Sequence, residues 1–224
     1  MPLPPRCASQ PQASPYNLTM TPSYWNQATA ELANHDHVMA ELAERYAGLS
    51  LVSRGDAFGT LARSIVGQQI SVKAADAVWG RFAAQVGTLT PDRVVELGTS
   101  GFGGCGLSRR KIEYLSDLAE HFFSGRLDPS AWAGLDDESI IMELTAVRGI
   151  GRWTAEMFLI FHQMRPDIFP LDDIGLQRAV CERYFSGEKQ SRRALAEFGE
   201  RWRPWRSVAT WYLWRSLDPL PVEY

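Results

Sequence analysis

The sequence predicts an all-α fold, on three observations. Apolar residues recur at three- and four-residue spacing along most of the chain. Helix-capping residues stand where several of these runs begin, and strand-like alternation is scarce, with one brief trace at Ser50–Ser53. With 224 residues and 45% hydrophobic content, the chain can bury a substantial core in one domain or two small lobes. No repeat of solenoid period occurs.

Residues 1–22 hold six prolines and little that packs, which predicts a disordered tail. Ala75, Val78, Trp79, Phe82 and Val86 share one helical face, as do Ile112, Leu115, Leu118 and Phe122. Ser108 is placed to cap the second of these, and Arg109, Arg110 and Lys111 fill its first turn. Cations there oppose the helix dipole, so either phosphate contact or plain solvation accounts for them. Ile140, Leu144 and Val147 form the next stripe, capped by Asp136 or Asp137. Phe169–Pro170 breaks the chain's helical course, and Asp172 is placed to cap a helix beginning near Ile174. Trp205, Val208, Ala209 and Tyr212 mark a last helix, with Pro204 suited to its first turn.

Between two of these helices stands Gly149-Ile150-Gly151, a tight turn whose glycines can take positive φ and admit another backbone closely. The amides of Gly149, Gly151 and the first turn of the following helix then point outward with the positive end of its dipole. That is a phosphate seat needing no charged side chain. Downstream, the pair Asp172–Asp173 supplies a carboxylate that the fold can return to the mouth of the same hairpin. A phosphate grip with one placed acid suggests chemistry on DNA.

Composition narrows the classes. No apolar run approaches the roughly 20 residues that span a bilayer, and the first residues lack the apolar core of a signal peptide, so a cytoplasmic protein without a membrane is expected. Cys7, Cys105 and Cys181 are far apart and form no CxxC, which supports neither structural zinc nor a disulfide framework. His35, His37, His121 and His162 lack metal-ligand spacing and are expected to be packed or solvated. The net charge of −3 argues against generic DNA coating. Its distribution is uneven: Leu127–Glu143 carries five acids and no base, whereas Arg192–Arg215 carries six arginines against two glutamates.

The hairpin Leu144–Ala155, the spaced Asp173, Ser64-Ile-Val-Gly-Gln-Gln-Ile-Ser71 and Pro204-Trp-Arg-Ser207 occur in this order. Together they resemble the helix-hairpin-helix DNA glycosylases, and within them the 3-methyladenine DNA glycosylase II (alkylbase) family, from about Trp25 to Asp218. The resemblance implies two helical lobes with a DNA- and base-binding cleft between them. One would be 23–56 plus 170–224, the other 57–169 with the hairpin. It implies a monomer acting on double-stranded DNA that contains alkylated bases of the 3-methyladenine or 7-methylguanine class. Asp173, followed five residues later by Arg178 as in relatives, matches the catalytic aspartate, leaving Asp172 as a cap or supporting residue.

Trp153 stands where strand-cutting members place a lysine. An indole cannot form a Schiff base, so the resemblance implies a monofunctional enzyme. Trp153 and Trp214 match aromatic positions of the base pocket, where an electron-rich ring attracts a cationic alkylated purine by about 0.5–2 kcal/mol. Met157 replaces an aromatic residue of relatives and widens or alters that pocket. Arg148, Gly149, Gly151, Arg152 and Thr154 match the DNA-backbone grip, and one of Gln69, Ile70 and Ser71 matches the wedge that fills the stack after base flipping. No organic cofactor is implied. The four-cysteine iron–sulfur cluster of some relatives has no ligands here, and a monovalent cation at the hairpin carbonyls is a candidate. Two other readings stay open: a noncatalytic hairpin protein that recognises damaged DNA, and a family glycosylase aimed at a neutral lesion or mismatch.

Overall fold

The computed structural model describes residues 21–53 and 55–217, and among them it is all-helical. The expected tail lies almost wholly outside these residues, as does Cys7. Thr21 and Pro22 are placed: Thr21 Oγ1 is 2.7 Å from Ser50 Oγ, and the Pro22 carbonyl accepts from Trp25 N. The helices are α1 (Trp25–His35), α2 (His37–Arg45), α3 (Ala57–Gly67), α4 (Val72–Val86), α5 (Pro91–Leu97), α6 (Arg109–Phe123), α7 (Asp137–Thr145), α8 (Arg152–Phe161), α9 (Ile174–Tyr184), α10 (Arg192–Gly199) and α11 (Arg206–Leu217). Residues 51–53 form no strand.

Two sets of neighbours organise the packing. Helix α3 packs on α4, α6 and α8, α5 packs on α6, and α7 on α8. Helix α11 packs on α1, α2 and α9, and α1 packs on α2. Helix α8 is deeply enclosed beyond its first two residues: every residue from Thr154 to Ile160 is buried. A mostly apolar run fits that position, with Thr154 and Glu156 its two polar residues. Trp132 and Trp202 are fully buried, and the Trp132 indole N–H finds its partner in Glu143 Oε2 at 2.8 Å.

The predicted starts are mostly met. Ser108 accepts from Lys111 N, and Asp136 rather than Asp137 caps α7, accepting from Ser139 N at 2.9 Å. Asp137 turns instead toward Arg165, and burial raises its pKa. Two expectations are corrected. Asp173, not Asp172, caps α9, while Asp172 lies at the surface in an ion pair with Arg192 at 3.0 Å. Pro204 does not open α11. The chain makes a turn in which Trp205 N donates to the Trp202 carbonyl, and the helix begins at Arg206, whose guanidinium is anchored on Asp167.

Candidate active site and DNA interface

Three helices meet at one carboxylate. Asp173 precedes α9 in extended backbone, so its Oδ1 reaches forward to Leu176 N at 2.6 Å as an N-cap. Trp214, on α11, donates its indole N–H to the same Oδ1 at 2.9 Å. Trp153, in the first turn of α8, donates to Oδ2 at 2.8 Å. Asp173 is 8% exposed and Trp153 is 37% exposed, so the indole forms the open side of the group. An ionised carboxyl only accepts hydrogen bonds, and three N–H donors match it. The Trp214 ring stacks on Phe161 with centroids 5.7 Å apart and planes 12° from parallel. Phe161 thereby sets the plane in which the Trp214 N–H points. A Cβ at Gly175 would stand 3.1 Å from Asp173 Oδ1 and 3.7 Å from the Trp214 ring. That narrow gap lets α11 lie close to the start of α9. Ile174, next to the carboxylate, is 80% exposed.

Met157 lies one turn after Trp153 but is 5% exposed within the apolar core. Its side chain lies on the buried side of α8.

The hairpin is held from beneath by residues far away in sequence. Gly149 has φ +87°, as expected, but an aromatic ring rather than a backbone lies close: Tyr114 of α6. Arg148 N donates to Asp117 Oδ2 at 2.8 Å, and the Gly149 carbonyl accepts from Gln68 Nε2 at 2.9 Å. Gly151 differs from expectation, with φ −91°, and a Cβ there would meet no atom within 4 Å. It is the N-cap of α8. Among α2–α10, α8 alone starts without a side-chain cap. The first-turn amides of α8, including that of Thr154, are thus left to an external acceptor. The Thr154 side chain is itself buried, so its contribution to a grip is its N–H.

The two arginines flanking the hairpin are arranged differently from each other. Arg148 Nε lies 3.6 Å from Asp117 Oδ1 and its side chain stays well exposed. Arg152 does not extend outward. Its NH1 donates to Glu138 Oε2 at 2.8 Å, its NH2 to Glu138 Oε1, and its Nε to Glu156 Oε1 at 2.9 Å. Hydrogen bonding to Glu138 raises the Arg152 pKa, and the Arg152 guanidinium lowers that of Glu138. Burial raises the pKa of Glu156 despite its arginine partner.

The loop between α3 and α4 divides its work. Ser71 caps α4, accepting from Ala74 N at 3.3 Å, so its hydroxyl is engaged in the helix start. Gln69 sits at φ +61° and is exposed, and Ile70 is 39% exposed. Gln68, Asp117 and Tyr114 were missed as site residues. Gln68 lies inside the singled-out motif; Asp117 and Tyr114 carry no local signal, because their roles depend on a contact across the fold. Lys111 also departs from both readings of its basic cluster: its Nζ donates to the Val66 carbonyl at 2.7 Å, at the C-terminal end of α3. There it meets the negative end of the α3 dipole, while burial lowers its pKa.

Residues 62–204 match the HhH-GPD superfamily base excision DNA repair protein family. The Bacillus subtilis relative YfjP is 30% identical over 80% of this chain, which spans 66% of that relative. A DNA-3-methyladenine glycosidase from Bacillus halodurans superposes with a TM-score of 0.78 at 36% identity, over 88% of this chain and 90% of the other. A Schizosaccharomyces pombe 3-methyladenine DNA glycosylase in complex with abasic DNA superposes with a TM-score of 0.72 at 28% identity, over 88% and 99%.

Proposed function

From the premise that this chain belongs to the HhH-GPD superfamily of base excision DNA repair proteins, we propose that it is a monofunctional DNA glycosylase. Its reaction is hydrolysis of the N-glycosidic bond of alkylated purines, of the 3-methyladenine or 7-methylguanine class, in duplex DNA. The observation that carries this reading is the Asp173 carboxylate, enclosed by the indole N–H groups of Trp153 and Trp214 beside the uncapped start of α8.

Alkylation at a ring nitrogen makes the purine a cationic leaving group, so departure needs little acid catalysis. Positive charge then builds on the sugar, and a fixed anion beside it stabilises that state and orients the attacking water. The two indoles hold the carboxylate in place, and the exposed face of Trp153 offers a cationic base an attractive surface. The amides at the start of α8 take the phosphate, and Gln69 or Ile70 fills the vacated stack. Tryptophan at 153 offers no amine for a Schiff base, which supports base release with an intact strand. At the hairpin, the carbonyls of Val147 and Gly149 accept from Ile150 N and Gln68. Each keeps a lone pair that would hold a monovalent cation, which adds positive charge to the seat.

We assign the expected lobes to 23–56 plus 170–224 and to 57–169, a division supported by the two packing sets. Double-stranded DNA with alkylated bases is the assigned substrate, the acting unit a monomer, and the compartment the cytoplasm.

The test is base release from methylated duplex DNA by the protein and by Asp173→Asn. Methylpurine release by the first and not the second is the expected result. Release by neither, with retained binding to abasic-site DNA, moves the noncatalytic recognition protein ahead. A covalent adduct trapped by borohydride refutes the monofunctional assignment.

A further inference from the structure

The first residue of α8 carries an arginine next to the phosphate seat, yet its side chain is turned inward. Glu138, in the first turn of α7, takes NH1 and NH2 of Arg152, and Glu156, one turn along α8, takes Nε. Two carboxylates thus converge on one guanidinium beside a helix start suited to an anion. The neighbouring Asp172–Arg192 pair adds no net charge.

A second observation shows why the arrangement holds. Glu156 is 5% exposed, and its Oε2 is buried without a hydrogen-bond partner. The Arg152 Nε contact is the one ion pair that Glu156 makes among the described residues. Moving Arg152 away wholly would strand a buried charge, which is strongly unfavourable. Glu156 therefore keeps the guanidinium at its inner position, and Glu138, whose side chain is 64% exposed, covers the outer edge that would otherwise face a phosphate.

We propose that Glu138 and Glu156 withhold Arg152 from the DNA backbone, and so limit how strongly the protein binds undamaged duplex. The proposal rests on the reading above only in taking duplex DNA as the partner. An enzyme that must find rare lesions gains from weak contact with ordinary sequence, and each phosphate contact removed lowers affinity and salt dependence together.

The experiment measures binding of the full chain to a labelled undamaged duplex by fluorescence anisotropy across a salt series. The proteins are wild type, Glu138→Gln, Glu138→Ala and, each in a Glu156→Gln background that leaves no stranded carboxylate, Arg152→Ala and the Glu138→Gln/Arg152→Ala double variant. Uncovering the NH1–NH2 edge adds about one phosphate contact. The slope of log affinity against log salt should then steepen by about 0.9 in both Glu138 variants, with affinity rising about threefold at the low-salt end. Arg152→Ala should keep the wild-type slope, and the double variant should return to it.

Three results overturn the proposal. One is an unchanged slope in both Glu138 variants. Another is a slope flattened by about 0.9 in Arg152→Ala alone, which places the arginine on phosphate already. The third is a double variant that binds more tightly than Arg152→Ala, which assigns the effect to the Glu138 charge. Methylpurine release by wild type is scored separately: present with any of these results, it leaves the glycosylase reading standing while this one falls.

Discussion

Replacing Gly149 with alanine tests how the hairpin is built. The φ of +87° costs a residue with a Cβ about 1–2 kcal/mol. That Cβ would also lie 2.5 Å from Tyr114 Cγ and 2.6 Å from Cε2, and nearer still to Cδ2. To restore ordinary contact at about 3.5 Å the ring must retreat by roughly 1 Å or more. Tyr114 projects from α6 and is half-buried against the hairpin, and overpacking of this kind costs about 1–3 kcal/mol. The two contributions together predict a loss of about 2–5 kcal/mol, or a melting temperature lower by roughly 4–20 °C for a chain of this size. Intrinsic fluorescence in thermal and urea unfolding gives both quantities. The steric part is separable: in a Tyr114→Ala background the same Gly149→Ala change should cost only about 1–2 kcal/mol, the backbone share. Gly151→Ala is the counterpart. Its φ of −91° suits alanine and its Cβ meets nothing within 4 Å, so stability should fall by about 1 kcal/mol or less. Its methyl would nevertheless stand over the α8 amides and weaken duplex binding. A Gly149→Ala protein melting within about 2 °C of wild type would refute this reasoning.

Trp153→Phe keeps the ring but removes the N–H that reaches Asp173 Oδ2; a hydrogen bond to a charged group is worth about 1.5–3 kcal/mol. Single-turnover base release should drop about tenfold or more, and equal rates would detach that N–H from the chemistry. Gln69→Gly relieves a left-handed conformation, so stability should hold or rise by about 1 kcal/mol while activity falls more on duplex than on single-stranded substrate. Equal loss on both substrates, or a stability loss, counts against Gln69 as the wedge. Ser71→Ala should instead cost about 1 kcal/mol of stability through its lost cap, with both substrates affected alike. The raised pKa of Glu156 means that the folded state holds its proton more tightly than the unfolded chain. Its ionised form therefore costs stability above the folded-state pKa, and that cost shrinks as pH falls from there toward the ordinary carboxylate pKa. Urea midpoints taken from neutral pH down to about pH 4, the ordinary carboxylate range, should show wild type gaining on Glu156→Gln as pH falls; a constant difference would contradict the shift.

Much of the fold was legible because its determinants are local. Apolar stripes at 75–86, 112–122 and 140–147 depend on neighbouring residues alone, and so do the caps at Ser108 and Asp136. The meeting of Trp153, Asp173 and Trp214 was legible only through resemblance, since no periodicity brings 153, 173 and 214 together. The aspartate pair was misassigned in one respect. Both residues suit a cap, and what selects Asp173 is the position at which the chain leaves the turn at Pro170, where Asp173 N donates to the Pro170 carbonyl. The inward turn of Arg152 was illegible for a related reason. An arginine at a helix start beside a glycine turn suggests phosphate, and the two carboxylates that occupy it come from another helix and from the next turn inward. Asp117 and Tyr114 were illegible because a residue that supports another segment's backbone leaves no pattern in its own, and Gln68 was marked only by its motif.

The order in which the chain emerges during synthesis gives the hairpin's fastenings a further meaning. Gln68, Tyr114 and Asp117 are all made before Arg148 and Gly149, so the surface that receives the turn exists before the turn does. A growing chain that has reached the end of α8 already holds every residue of the phosphate seat. The carboxylate is made later, and its second indole donor, Trp214, later still. Synthesis thus supplies the residues that hold DNA well before it completes the group assigned to break a bond in it.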